Sequence, residues 1–383
     1  MIYLDHNATS PLRPEAKAAM LRALDIGANP SSVHAAGRAA RAAINDARET
    51  IAEFAGAEPA DVIFTSSGTE SNALALRGAI VGAVEKGEPI TRLFVVATAH
   101  DSIRAMAASL AETVAGLTLC EIPVDDSGRI RLDEFSTQLS NGTGRALVSL
   151  LYVNNETGTI EDVAKLASAS AGEGVLVHVD AVSSGYCPVR FADWDVDYLS
   201  LSAHKIGGPQ GAGALIAKDG PPLASLFNGF QEMRRRGGTE NVSGIAGFCA
   251  AAHTLQFNRE GEIARVASIR DRFEAGLRGF EAVVFAKDAQ RSPNTSCFAI
   301  PDLSAETALM SLDLDGICVS SGAACSSGKV SHSHVLKAMG VAEPLARCGL
   351  RVSFGWNSTA EDADAAIASL DKLIARVVAR KAA

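Results

Sequence analysis

From residue 62 onward, short apolar runs alternate with stretches of helical periodicity. DVIFT, RLFVVATAH, ALVSLLYVNNE, VLVHVDA, DYLSLSAHK and GALIAK lack the regular polar positions of a half-exposed strand, so each reads as a strand covered on both faces. Helical stretches separate several of them: one opens after the Ser/Gly/Thr turn of FTSSGTE, one from Asp101 and one from Glu161. This order predicts an α/β fold whose large domain is a mainly parallel sheet covered by helices. Ahead of it, YLDHNATSPLRPEA reads as a short extended piece followed by a helix with Pro14 in its first turn. The NPSS turn of residues 29–32 then leads into an alanine-rich helix. Beyond the turn-rich FNGFQEMRRRGGTENVSG, a long helix is expected from Ile245 to about Phe280. Short strands in AVVFA, TSCFAI, ICVSSG and RVSFG then interleave with helices in AETALMSLDLDG and SHVLKAMG. The closing helix carries Ile367, Leu370, Leu373, Ile374, Val377 and Val378 on one face. The second block reads as a smaller α/β domain, and the expected division is 15–260 for the large domain with 1–14 and 261–383 for the small one.

Composition narrows the class. A chain of 383 residues, 47% hydrophobic and 21% charged, is long enough for one large domain and a companion. The net charge of −9, with Arg234, Arg235 and Arg236 as the only dense basic cluster, argues against nucleic acid or an anionic membrane as partner. No apolar run reaches membrane-spanning length and the opening residues do not read as a secretion signal, so a cytoplasmic location is expected. The seven cysteines are odd in number, scattered and without a C-x-x-C pair, which argues against a disulfide framework or a metal site.

In a parallel sheet, functional groups belong at the carboxyl ends of the strands. Polar residues cluster there: His100, Asn155 with Glu156, Asp180, and Ser202 with His204 and Lys205. Lys205, followed by Gly207, Gly208 and Pro209, can present its amine to a cofactor aldehyde, although most lysines after a core strand are plain loop residues. Asp180 ends its strand and either pairs with a cation or caps the next helix. Ser67 and Thr69 either add hydroxyls to an anion site at a helix N-terminus or simply cap that helix, with Glu70 in its first turn. His100 either stacks on a ring or is a satisfied rim histidine.

Taken together, YLDHNATSPLRPEA, NPSSVHAAGRAAR, FTSSGTESNALAL, TAHDS, VNNETG, HVDA, SAHKIGGPQGAGAL, RRRGGTENVSG, SSGAACSSGK with SHVLKAMG, and RVSFG resemble the motifs of the cysteine desulfurases in the family's order, nearly end to end. The resemblance implies an enzyme of pyridoxal 5'-phosphate (PLP) fold type I, from the branch with the longer SSGAACSSG-type cysteine loop. It implies that Lys205 holds the cofactor as a Schiff base, that Asp180 pairs with the pyridinium nitrogen, and that His100 stacks on the ring with Asn155 near its hydroxyl side. Gly68, Thr69, Ser202 and His204 would bind the phosphate, and Thr239 would reach the cofactor of the second subunit of a homodimer. Arg351 would hold the carboxylate of the substrate, L-cysteine, because a guanidinium fork matches that planar anion.

Cys325 would be the nucleophile. It sits in a run of small residues, Ser320 to Gly328, that can move, and the other six cysteines read as small buried residues. The implied reaction forms alanine and a persulfide on Cys325, with Lys205 or His100 as proton carrier. The sulfur then goes to an acceptor protein for iron–sulfur clusters or other sulfur-containing cofactors or tRNA. A selenocysteine lyase, an aminotransferase of the same fold, or a persulfide carrier that has lost turnover are the competing readings. Two departures stand out: Ser183 occupies a place where the family commonly has a cofactor-contacting glutamine, and Met233 with Arg234 replace a usual Arg-Gly pair.

Overall fold

The computed structural model describes residues 1–172, 174–321 and 333–382. Among these, seven strands form the main sheet in the order Val62–Thr65, Gly213–Ala217, Tyr198–Ser202, Val175–Asp180, Arg145–Leu151, Ile90–Val96 and Thr118–Ile122. All pairings are parallel except those of Gly213–Ala217, which runs antiparallel to both neighbours. The central strands are buried on both faces because helices cover them; Arg145–Leu151 and Val175–Asp180 are accordingly mostly apolar, while Tyr198–Ser202 alternates Leu with Ser and buries both sets.

Two elements are not evident in the hydrophobic pattern. Thr118–Ile122 is an edge strand with mostly exposed side chains, so it carries no apolar run, and the helix Leu132–Ser140 buries only Phe135. The expected helix from Glu161 begins instead at Val163, because the Asp162 side chain caps it by accepting from Lys165 N. Glu161 is turned inward to accept the backbone N–H of Ile130 at 2.7 Å. Burial, the dominant cause, raises its carboxyl pKa to about 7. The folded protein therefore binds this proton more tightly than the unfolded chain, and stability is lost as pH rises from the ordinary carboxyl range through about 7. Glu161→Gln keeps an acceptor and removes the charge. Its stability relative to the parent is expected to improve by about 2 kcal/mol between pH 5 and pH 8 in urea unfolding; a gap independent of pH would contradict this.

The second sheet is antiparallel, in the order Ser320–Ser321, Gly349–Ser353, Thr295–Ala299 and Val283–Val284. The helices Ala305–Leu314 and Ala360–Ala382 pack beside it, and its core is built from residues such as Phe273, Phe298, Leu350 and Phe354. The helix Val242–Leu277 joins the two parts, contributing Phe248 and Leu255 to the large core and Ile269 and Phe273 to the small one. The N-terminus belongs to both as well. Ile2–Tyr3 pairs in parallel with Ile317–Cys318, Asp5 bridges to Ser353, and Arg13 forms a two-pronged ion pair with Glu262.

The departure at Met233 and Arg234 has a structural consequence. Glu232, Met233 and Arg234 have φ of 44, 56 and 64°, a left-handed turn of non-glycine residues at which a glycine would sit without strain. The anchor is the buried Glu232 carboxylate, which accepts from both Nη atoms of Arg48 and from Phe64 N–H. Glu232→Ala leaves Arg48 with the Val62 carbonyl but without its carboxylate in a largely buried setting, and frees the turn. A loss of about 3 kcal/mol is expected in chemical denaturation, and a loss below about 1 kcal/mol would show that the anchor is not needed.

Candidate active site

Polar residues at or shortly after the ends of four parallel strands, His100, Asn155, Asp180 and Ser202, converge on a cleft of about 250 Å³. Lys205 lies in the short helical turn Ala203–Lys205 directly after the strand Tyr198–Ser202. Its Nζ donates to the carbonyls of Asn7 and, at 3.0 Å, Ala8, so the N-terminal segment closes one side of the cleft. Asp180, 4% exposed, ends the neighbouring strand. One oxygen accepts from Val182 N–H at 3.0 Å, a local turn rather than a helix cap, and the other from Asn72 Nδ2 at 2.9 Å. Asn72 also donates to Ser102 Oγ, so the Ser102 hydroxyl proton goes to His100 Nδ1 at 2.8 Å. The backbone N–H of Ser102 reaches the same nitrogen. With Nδ1 an acceptor, the neutral His100 ring carries its proton on Nε2. A chain of hydrogen bonds thus joins Asp180 to His100 through two residues.

At the other end of the cleft the helix Gly68–Glu85 begins. Ser67 caps it by accepting from Glu70 N–H, while Ser67, Gly68 and Thr69 all line the cleft, so capping and anion binding coexist in one turn. A Cβ on Gly68 would lie 2.5 Å from Val182 Cγ2, which explains the glycine. His204 Nδ1 is 2.6 Å from the Thr9 hydroxyl, and burial, helped by Lys205, lowers its pKa to about 4, so it is neutral at pH 7. Ser202 Oγ and Asn72 Oδ1 are buried without hydrogen-bond partners among the described residues. A buried hydroxyl beside a helix N-terminus fits an anion such as a phosphate.

Asn155 and Ser183 also line the cleft. Arg351 stands behind Asn155, donating from Nη1 to its carbonyl at 3.0 Å and from Nη2 to Asp5 Oδ1 at 2.6 Å. Glu156 is buried, and burial raises its pKa to about 7; the Ser333 hydroxyl donates to it at 2.5 Å. Thr239 is exposed and away from the cleft of the single chain. Cys325 lies outside the described residues; of the run assigned to its loop, Ser320–Ser321 is a strand paired with the Arg351 strand. The other six cysteines are only partly as expected: Cys187, Cys297 and Cys348 are buried, whereas Cys120, Cys249 and Cys318 are half-buried. Burial raises the thiol pKa of Cys187 to about 12 and also pushes Cys120, Cys249, Cys297 and Cys348 upward, so none of these five is a thiolate near neutral pH.

Hydrophobic patterning did not single out Asn72, Ser102, Asp5, Asn7 or Thr9 as site residues. Ser102 lies in the first turn of its helix, where its polarity looks like ordinary capping, and Asn72 lies one turn into the helix Gly68–Glu85 as a single polar residue in an otherwise helix-forming run. The N-terminal residues give one signal, a dense polar run between two regular elements. A larger hollow of about 660 Å³ lies between the helices Pro14–Ile26, Ala35–Ala55 and Val242–Leu277, but its charged residues Glu15, Arg22, Asp46 and His253 are exposed and do not converge.

Sequence comparison agrees with this architecture. Residues 2–366 match the class-V aminotransferase family model, the description of a family of PLP-dependent enzymes. A cysteine desulfurase of Cereibacter sphaeroides is 40% identical over 97% of this chain and 95% of its own length. A cysteine desulfurase IscS of Dictyoglomus turgidum is 37% identical over 98% and 95%. The crystal structure of a NifS-like protein from Rickettsia africae superposes with a TM-score of 0.88 at 31% identity, covering 98% of this chain and 99% of that one. The chain therefore belongs to the class-V aminotransferases and, within them, to the cysteine desulfurase family, and the protein is an enzyme of fold type I. No helix among the described residues is long and apolar enough to cross a membrane.

Proposed function

We propose that the protein binds PLP in the cleft at Lys205 and converts L-cysteine to L-alanine, passing the sulfur to Cys325. The observation that carries this reading is the convergence of Lys205, Asp180 and His100 on a cleft whose far end is a helix N-terminus with a buried, unpartnered Ser202 hydroxyl. The residues fit the cofactor. Gly68, Thr69, Ser202 and neutral His204 would hold its phosphate, Asp180 would pair with its ring nitrogen, and His100, Asn155 and Ser183 would contact the rest of the ring. When bound, PLP supplies an electron sink for the α-carbon of the amino acid.

The chain's own groups do the rest. Asn72 fixes one Asp180 oxygen and Ser102 fixes the His100 tautomer, so the aspartate stays oriented and the imidazole offers an N–H at Nε2. Lys205 and His100 carry protons within the cleft. Arg351 orients the substrate through its carboxylate. The Cys325 thiolate attacks the substrate sulfur: a sulfur–sulfur bond forms, the carbon–sulfur bond breaks, and proton uptake at carbon gives alanine. The balance is L-cysteine plus thiol to L-alanine plus persulfide, with no external oxidant or reductant.

The two cores support a division into 15–260 and 1–14 with 261–383, the cleft lying where the N-terminal segment meets the large sheet. A homodimer is supported by the exposed Phe227, Phe230 and Met233 in the segment that leads to exposed Thr239, which would contribute Thr239 to the neighbouring cleft. The persulfide would serve a sulfur-acceptor protein in the cytoplasm, for iron–sulfur clusters or other sulfur-containing cofactors.

The test is to incubate holoenzyme with L-cysteine and to measure alanine, sulfide and the mass of the Cys325 peptide. Alanine with one added sulfur on that peptide is expected. Cysteine consumption without alanine, or sulfur on another cysteine, would reject the reading.

A further inference from the structure

Arg351 is 2% exposed and lies on the strand Gly349–Ser353 of the small sheet. Its guanidinium is engaged by the chain itself: Nη1 donates to the Asn155 carbonyl and Nη2 to Asp5 Oδ1. Nε–H is buried with no hydrogen-bond partner among the described residues. Asp5 is held in place by its backbone. It bridges to Ser353, and its carbonyl accepts from the Tyr3 hydroxyl and from the amides of Ala8 and Thr9. Two opposite charges, one on each of two adjacent backbone segments, thus meet behind Asn155.

We propose that Asp5 is a specificity-determining residue, a resident counter-ion that neutralises Arg351 before the amino acid arrives and so sets how tightly the amino acid's carboxylate is held. This rests on reading Arg351 as the carboxylate site. A buried guanidinium without a counter-ion is costly, and Asp5 removes that cost in the ligand-free protein. The same charge opposes a second carboxylate. An incoming carboxylate would be offered the Nε–H, which has no partner among the described residues, and the remaining fork hydrogens, but on a cation whose charge is already compensated. Asp5 therefore favours stability and moderates affinity, and the two effects have opposite signs when its charge is removed.

Asp5→Asn separates them, because the amide oxygen still accepts from Nη2 while the charge is lost. The holoenzyme forms of the parent, Asp5→Asn and Arg351→Gln are titrated with L-alanine and with ethylamine, which lacks the carboxylate, following the absorption of the bound cofactor. Thermal unfolding is recorded with and without L-alanine. For Asp5→Asn we expect L-alanine to bind about tenfold more tightly, ethylamine to change less than about twofold, and the melting temperature to fall without ligand and recover with L-alanine. Unchanged or weaker L-alanine binding would overturn the role given to Asp5, as would an equal change for both ligands. Should the asparagine variant not fold, Asp5→Ser removes the same charge and carries the same expectation. If instead Arg351→Gln binds L-alanine as the parent does, the reading of Arg351 as the carboxylate site fails and not merely that of Asp5.

Discussion

Replacing Lys205 with alanine is expected to abolish the visible absorption of covalently held cofactor and to lower alanine formation from L-cysteine by about 10³-fold or more. The effect is large because one amine serves as the attachment point for the cofactor and as a proton carrier. Its position is not interchangeable with that of another lysine: it follows the strand Tyr198–Ser202 by three residues and is held against the Asn7 and Ala8 carbonyls. Lys205→Arg provides the control. It retains a cation able to reach those carbonyls but not an amine of suitable basicity, so it should preserve thermal stability better than Lys205→Ala while being equally inactive. If the absorption persists unchanged in Lys205→Ala, another lysine holds the cofactor.

Cys325→Ala is expected to retain the cofactor absorption and to lose alanine formation by a similar factor, about 10³-fold or more. The distinction between the two variants follows from the architecture. Lys205 belongs to the rigid end of the large sheet, whereas Cys325 follows the strand Ser320–Ser321 of the small sheet in sequence and precedes the helix His334–Ala338. Cofactor attachment depends on Lys205, which this substitution leaves in place. Undiminished alanine release from Cys325→Ala would eliminate it as the nucleophile. The raised thiol pKa values of Cys120, Cys187, Cys249, Cys297 and Cys348 make each a poor substitute at neutral pH.

Both predictions concern residues legible in the sequence, and the reason is local. A strand buried on both faces announces itself as an apolar run, and the polar residues within a few positions of its end mark the sheet's carboxyl side; His100, Asn155, Asp180 and Lys205 were noticed in this way, whereas Cys325 rested on the resemblance and on the small residues around it. Glycine at position 68 and the Ser67 cap are local too, since a helix start constrains only its own turn. The direction of Gly213–Ala217 was not readable, because an antiparallel strand set between Val62–Thr65 and Tyr198–Ser202 has the same doubly buried composition as the parallel strands of the sheet. Nor was Thr118–Ile122, whose exposure at the edge removes the apolar signal.

By itself, then, the chain's pattern of apolar runs determined the α/β class and marked the lysine, the aspartate and the histidine as polar residues near strand ends, while their roles came from the resemblance of the motifs to those of the cysteine desulfurases. Only the tertiary structure decided their partners. Asn72 reaches Asp180 across 108 positions, and Asp5 reaches Arg351 across 346. Such contacts depend on how a folded sheet brings distant segments side by side, and neither spacing nor periodicity encodes that distance. The left-handed turn at Glu232, Met233 and Arg234 is of the same kind. The sequence shows a missing glycine, but only the fold reveals the buried Glu232–Arg48 pair that holds the turn in place.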